Sequence, residues 1–357
     1  MNSTARRDLW ERLQRAGLVA GDLPLSTASP WFVRVMLGIA GWIGALFILG
    51  FVGAGFAMVM RNAGAAAVAA IICCGGAYAI FKAAPKGDFS SQFGLATGLA
   101  GQALFGAAIF QHFRPEGSLS YFLFFCVEAV VTLLMPNFVH RIFTTLAAVG
   151  ALSVGLAQAG VHGLALPLTA AGCALVWRGE LRMAARADLW QPVGYGLALG
   201  VLQTATSSLM GGEMISLFHR NGQGWLQRHG SEVGAALVAT LFLVVIVDIL
   251  RQLEIDTSSS EGIAILCCAA LVMGVSFPVH GFSAALLILI LGFAGGNRVL
   301  FGLGVLALAS FLSYYYYQMK ETLLFKSLIL GVTGSLLLAA RRGLRELFPT
   351  KGAGRNA

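Results

Sequence analysis

A chain of 357 residues that is 57% apolar and 11% charged, with a mean hydropathy of +0.79, carries too few charges to cover a water-soluble body of its length, because soluble domains have about 25% charged residues. The same figures exclude disordered, collagen-like and small disulfide-rich chains. They leave a helical membrane protein, since apolar runs of about 20 residues span a bilayer and a helix satisfies its own backbone there.

The chain opens on a charged stretch, Ser3 to Ala16, in which Leu9, Trp10, Leu13 and Ala16 form one apolar stripe. With no apolar core of signal-peptide length, it reads as a short helix on the inner leaflet or a solvated cap. Residues 1–30 therefore form a cytoplasmic amphipathic helix and linker, residues 31–342 a transmembrane domain, and residues 343–357 a basic cytoplasmic tail.

Apolar runs broken by charge, Gly, Pro or Asn place helices near 33–59, 63–81, 89–110, 118–135, 138–158 and 161–177, then near 189–210, 231–250, 261–277, 281–295, 299–318 and 322–340. The expected fold is all-α, a polytopic bundle of about twelve spans of about 20 residues each. With the N-terminus inside, eighteen Lys and Arg residues fall on the inner side and six on the outer. That bias fits an even number of crossings with both termini cytoplasmic. The formal charge of +8 is then a topology signal, and the scatter of basic residues over many loops argues against nucleic acid as a partner.

Six cysteines, Cys73, Cys74, Cys126, Cys173, Cys267 and Cys268, all lie inside expected spans. None has the spacing of a zinc or redox motif, so they read as packing residues. Glycine, 45 of 357 residues, recurs as small-xxx-small pairs at Gly94 and Gly98, Gly196 and Gly200, and Gly292 and Gly296. This spacing lets helix backbones approach closely.

Glu128 is the first candidate for chemistry, about 15 Å deep in the fourth expected span at 1.5 Å per residue. A carboxylate at that depth is costly and should face the bundle or a wet cavity, as a proton or cation site or as a neutral carboxyl bonded to a hydroxyl such as Thr132 or to a neighbouring helix. Lys326, near the outer start of the last span, either snorkels to the interface or turns inward as a counter-charge to Glu128. Asp248 and Arg251, three apart, can pair at a helix end. Gln92, Gln102, Gln111, His112, Gln203 and Thr204 read as hydrogen-bonding glue between helices. His140 and His280 are expected in turns, solvated. The segment Gly211 to His229, with His219, Arg220, Arg228 and His229, is expected to rest on the outer leaflet in contact with lipid headgroups.

No Walker, GxGxxG, HExxH, EF-hand or GxSxG motif is present. The reading is accordingly not an enzyme, with no cofactor, no metal site and no catalytic residue expected.

The stretch Ser310 to Arg342, SFLSYYYYQMKETLLFKSLILGVTGSLLLAARR, is more distinctive than its composition. Its tyrosines Tyr314, Tyr315, Tyr316 and Tyr317, followed by Leu323, Leu324, Lys326, Ser327 and Gly334, resemble the C-terminal signature of a bacterial family of integral membrane proteins catalogued as domain of unknown function 4401. The N-terminal third is similar to a second bacterial membrane domain of unknown function. The resemblance implies a bacterial inner-membrane, multi-pass location. It also implies a neighbouring small membrane-anchored protein with a GDYxxLxY motif as a partner, alongside membrane lipids. It brings no catalytic residues, and it raises the four tyrosines, Lys326 and Ser327 to candidate partner or site residues. Three functions follow in order: a non-enzymatic scaffold or partner of a small envelope protein, a secondary or ion-coupled carrier using Glu128, and a lipid-modifying enzyme using the His219 to His229 loop.

Overall fold

The computed structural model describes residues 10–17, 19, 21, 36, 43, 61–83, 88–113, 117–179, 184–209, 225–276, 281–318 and 342. Among the described residues the regular structure is all helical. In chain order the helices are α1 (Ala63–Ala83), α2 (Asp88–His112), α3 (Ser118–Leu134), α4 (Phe138–Gln158), α5 (Ala165–Arg178), α6 (Ala187–Leu209), α7 (Trp225–Gln252), α8 (Ser260–Ser276), α9 (Phe282–Ala294) and α10 (Arg298–Gln318). Ten of the twelve expected segments fall on these helices. The other two lie outside the described residues, 322–340 wholly and 33–59 except for Met36 and Ile43, as do the expected linker before the first span and the C-terminal tail.

Five helices among the described residues are long and apolar enough to cross a membrane: Ala63–Ala83, Phe89–His112, Phe138–Gln158, His229–Gln252 and Arg298–Tyr317. Several of the others are shorter than the sequence reading made them, for local reasons. The segment expected at 161–177 starts as a 3-10 turn, His162–Leu164, before the 14 residues of α5. Pro167 fits the first turn of α5, where its missing N–H is not needed. Helix α9 has 13 residues, bounded by Gly281 at φ +90 and Gly296 at φ +64. Both sit in the left-handed region that only glycine enters at little cost.

Three asparagines set helix starts by accepting from free backbone N–H groups. Asn62 accepts from Gly64 and Ala65 ahead of α1, Asn137 from His140 at the start of α4, and Asn297 from Val299 and Leu300 at the start of α10. Two of them also tie helices together through their amide N–H groups. Asn137 donates to Ser91 of α2 at 3.1 Å, and Asn297 donates to the Tyr195 hydroxyl of α6 at 2.8 Å.

Packing falls into two apolar clusters. The larger joins residues of α5 to α10, with Cys173, Val201, Val238, Leu287, Ile288 and Leu300 at its centre. The smaller joins α1, α2 and the end of α3 through Cys74, Ala77, Phe81, Leu95, Val131 and Met135. Helix α4 packs on both α3 and α6 and links the two regions. The expected pairing of Asp248 with Arg251 is replaced by a bond across helices. Arg178 Nε of α5 donates to Asp248 Oδ2 of α7 at 2.7 Å, while Arg251 is exposed.

The small-residue contacts are as close as the spacing suggested at five of the six glycines. Gly94 faces the Phe81 ring, Gly98 the His140 ring, Gly196 Thr145, Gly200 Val149 and Gly292 the backbone of Phe301. Gly296 is the exception, a turn residue with open space around it. Helices α9 and α10 also approach closely, and a methyl placed on Gly304 would lie 2.6 Å from the Leu289 Cα. Gly304→Ala is therefore expected to lower stability by about 1–3 kcal/mol, the usual cost of overpacking. Gly302→Ala, with nothing within 4 Å, should leave stability unchanged or slightly raised. Thermal unfolding in detergent distinguishes the two.

Candidate functional site

The α3–α4 hairpin turns at Met135–Pro136–Asn137. Pro136 cannot donate a backbone bond and disfavours helix at Met135, and Asn137 then opens α4 with its side-chain cap. His140 is thereby carried into the first turn of α4 rather than left in a loop, which corrects the expectation of a solvated histidine. Its side chain is fully buried, and the absence of a side chain on Gly98 of α2 makes the space for its ring. The edge of the ring lies against Phe81, with centroids 5.8 Å apart at 74°.

One turn on, Thr144 Oγ1 stands 3.0 Å from His140 Nδ1 and 2.7 Å from the His140 carbonyl oxygen. Gln102 Nε2 of α2 donates to the same hydroxyl at 2.9 Å. Gln102, Thr144 and His140 thus form a continuous buried chain between α2 and α4, and Gln102 serves as glue between helices.

Glu128 lies on α3 at the same sequence distance from Pro136 as Thr144, so the antiparallel hairpin sets the two at one level. It shares its helix face with Val131 and Met135, three and seven residues on, and both of these belong to the α1–α2–α3 cluster. Glu128 therefore turns toward α1 and α2. It is fully buried, and Cys74 of α1 is its electrostatic neighbour. The Cys74 thiol in turn lies 4.0 Å from the Gly98 carbonyl oxygen, to which it donates.

The expected bond between the Glu128 carboxyl and Thr132 does not form. Thr132 donates instead to the backbone oxygen of Glu128 at 2.9 Å. Both Glu128 carboxyl oxygens and His140 Nε2 are buried without a hydrogen-bond partner among the described residues. Buried polar atoms are nearly always bonded, so these three atoms make the junction of α1 to α4 the candidate site.

An apolar groove of about 920 Å³ runs along the exposed side of this junction, lined by Ile71, Cys74 and Tyr78 of α1, Phe105 and Ile109 of α2, and Leu134 of α3 among others. Val127 and Val131, on either side of Glu128 in sequence, also line it. Glu128 itself does not.

Of the other expected site residues, Lys326 and Ser327 lie outside the described residues, and with them the proposed charge pair to Glu128. Tyr314, Tyr315 and Tyr316 are half-buried at the end of α10 and Tyr317 is exposed. They meet as edge-on pairs, Tyr314 with Tyr315 at 5.8 Å and Tyr316 with Tyr317 at 5.5 Å. His219 and Arg220 lie outside the described residues. His229 pairs with Glu232 on its own helix at 3.0 Å.

His140, Thr144, Gly98 and Cys74 are the members that sequence reasoning did not single out for this site. A signal for the first two was present, since Pro136–Asn137 followed by His140 and Thr144 is a helix start with two polar residues one turn apart on one face.

Fold and site together define a helical protein with several helices able to cross a membrane and an acid and an imidazole enclosed between them. The chain matches the family described as Domain of unknown function (DUF4401) over residues 30–347 and belongs to that family. No curated protein and no solved structure matches the chain.

The polar chain carries a stability prediction. Thr144→Val leaves His140 Nδ1 and the Gln102 amide without their shared partner and should cost about 1–3 kcal/mol. Gln102→Leu removes one interhelical bond and should cost about 0.5–1 kcal/mol. Comparing the unfolding midpoints of the two variants in detergent tests this order.

Proposed function

We propose that this protein is an ion-coupled carrier of the bacterial inner membrane in which Glu128 is the proton-binding group. The reading takes the chain as multi-pass, with about twelve crossings and both termini cytoplasmic. Its support is the apolar helices together with the inward bias of Lys and Arg.

One observation carries the functional part: the Glu128 carboxyl is fully buried and both of its oxygens lack a hydrogen-bond partner among the described residues. A carboxyl that served packing alone would be bonded to its neighbours, because an unbonded buried polar group is destabilising. Thr132 is in position one turn away, yet its hydroxyl goes to the backbone. Ionisable groups at membrane depth are characteristic of proton and ion pathways. This reverses the order of the first two functions expected from sequence.

The scaffold reading is favoured by a different observation, the apolar groove of about 920 Å³ beside α1, α2 and α3. Its occupant would be the small membrane-anchored protein with the GDYxxLxY motif that the family resemblance implies, and the carrier and that protein would then form one complex.

Proteoliposomes test the carrier reading. With a pH-sensitive dye inside, an inward proton gradient and potassium with valinomycin to balance charge, the wild-type protein should acidify the lumen. Glu128→Gln should slow that acidification by about a hundredfold, the size of contribution expected of a positioned proton-transfer group. Equal rates in the two proteins would contradict the reading.

A further inference from the structure

The hydrogen-bond chain ending at His140 fixes more than the position of its ring. The Thr144 hydroxyl has one hydrogen and two lone pairs. Its hydrogen has two possible acceptors, the His140 carbonyl oxygen at 2.7 Å and His140 Nδ1 at 3.0 Å. Threonines elsewhere in these helices donate to the carbonyl four residues back: Thr97 to Phe93, Thr132 to Glu128, Thr145 to Arg141 and Thr169 to Ala165. Thr144 follows the same pattern over its shorter contact. One lone pair of Oγ1 then receives Gln102 Nε2–H. The other faces Nδ1, which must be the donor. A neutral imidazole with its hydrogen on Nδ1 has a lone pair on Nε2.

That Nε2 is buried and without a partner among the described residues. It lies against Gly98, where even a methyl group would collide with the ring. The Gly98 carbonyl contacts the Cys74 thiol, and Cys74 is the electrostatic neighbour of Glu128. Among the described residues the junction thus leaves three buried polar atoms without a partner, two carboxyl oxygens and one imidazole nitrogen.

We propose that His140 is the second proton-binding group of the Glu128 site, held by Thr144 and Gln102 with Nε2 as the open acceptor. The step balances without a further reactant. The O–H bond of a protonated Glu128 breaks and an N–H bond forms at Nε2, directly or over a bridging water, leaving a carboxylate and an imidazolium with no change in net charge.

Among the described residues the groups around His140 are few. Arg141 on its own helix directs Nε to the Thr132 carbonyl and Nη1 to the Asp188 carbonyl. Helix α1 contributes the Phe81 ring and α2 the uncharged Gln102, which reaches His140 through Thr144, while Glu128 of α3 is connected to it through Cys74 and the Gly98 carbonyl. The proposal rests on Glu128 being the proton site, and its test separates the two.

Nitrogen-15 NMR of histidine-labelled full-length protein in bilayers, with the His140 signal identified by its loss in His140→Gln, reads the tautomer. The expected result is Nδ1–H in the neutral form, conversion to the doubly protonated form as pH falls, retention of Nδ1–H in Thr144→Ser and its loss in Thr144→Val. An Nε2–H tautomer in the wild type overturns the proposal. In the proteoliposome assay, His140→Gln should slow acidification by about a hundredfold. If His140→Gln runs at the wild-type rate while Glu128→Gln is slow, His140 is not part of the site and Glu128 stands alone. If both run at the wild-type rate, both readings fall.

Discussion

Burying a polar atom without a hydrogen-bond partner is among the more costly things a helical protein can do, and among the described residues three such atoms belong to the junction of α1 to α4. Many of the other buried polar groups are bonded, although Arg178 Nη2 is also buried without a partner among the described residues. Threonines turn back to their own helices, Asn137 and Asn297 cap one helix and hold another, and Arg178 reaches across to Asp248. Against that background the open oxygens of Glu128 and the open nitrogen of His140 are a departure that packing does not require. In surroundings of low polarity the missing bonds are worth more than they would be in water. On the proposed reading the arrangement is poised to take up whatever supplies them, and the smallest species that can do so is a proton.

The rest of α1 to α4 serves to make that junction. Asn137 starts α4 early enough to bring His140 into its first turn, and Gly98 leaves the volume its ring fills. Thr144, itself held by Gln102, meets the ring at Nδ1. Val131 and Met135 anchor the face of α3 that Glu128 shares. The cluster of α5 to α10, by contrast, is apolar almost throughout, with its polar contacts at the helix ends, and reads as the body against which α4 is held.

Helix existence was legible in the sequence because apolar runs report burial or lipid contact directly, and each of the ten expected segments within the described residues is a helix. Lengths were less legible. The sequence has no term for a 3-10 turn at His162–Leu164 or for glycines at positive φ, and these shorten α5 and α9 below what their apolar runs suggest. Glu128 could be singled out because a carboxylate stands alone in an apolar segment. Its partners could not, because His140 and Gly98 meet only through the packing of α2 on α4. Asp248 shows the same limit. Spacing along α7 offered Arg251, and the fold supplied Arg178 from α5.

The central claim is that the buried Glu128 carboxyl exchanges a proton, and infrared difference spectroscopy of the full-length protein in bilayers reads it most directly. The account predicts a protonated-carboxyl carbonyl band that grows as pH is lowered and is absent from Glu128→Gln. A wild-type spectrum with no pH-dependent band that Glu128→Gln removes would contradict it.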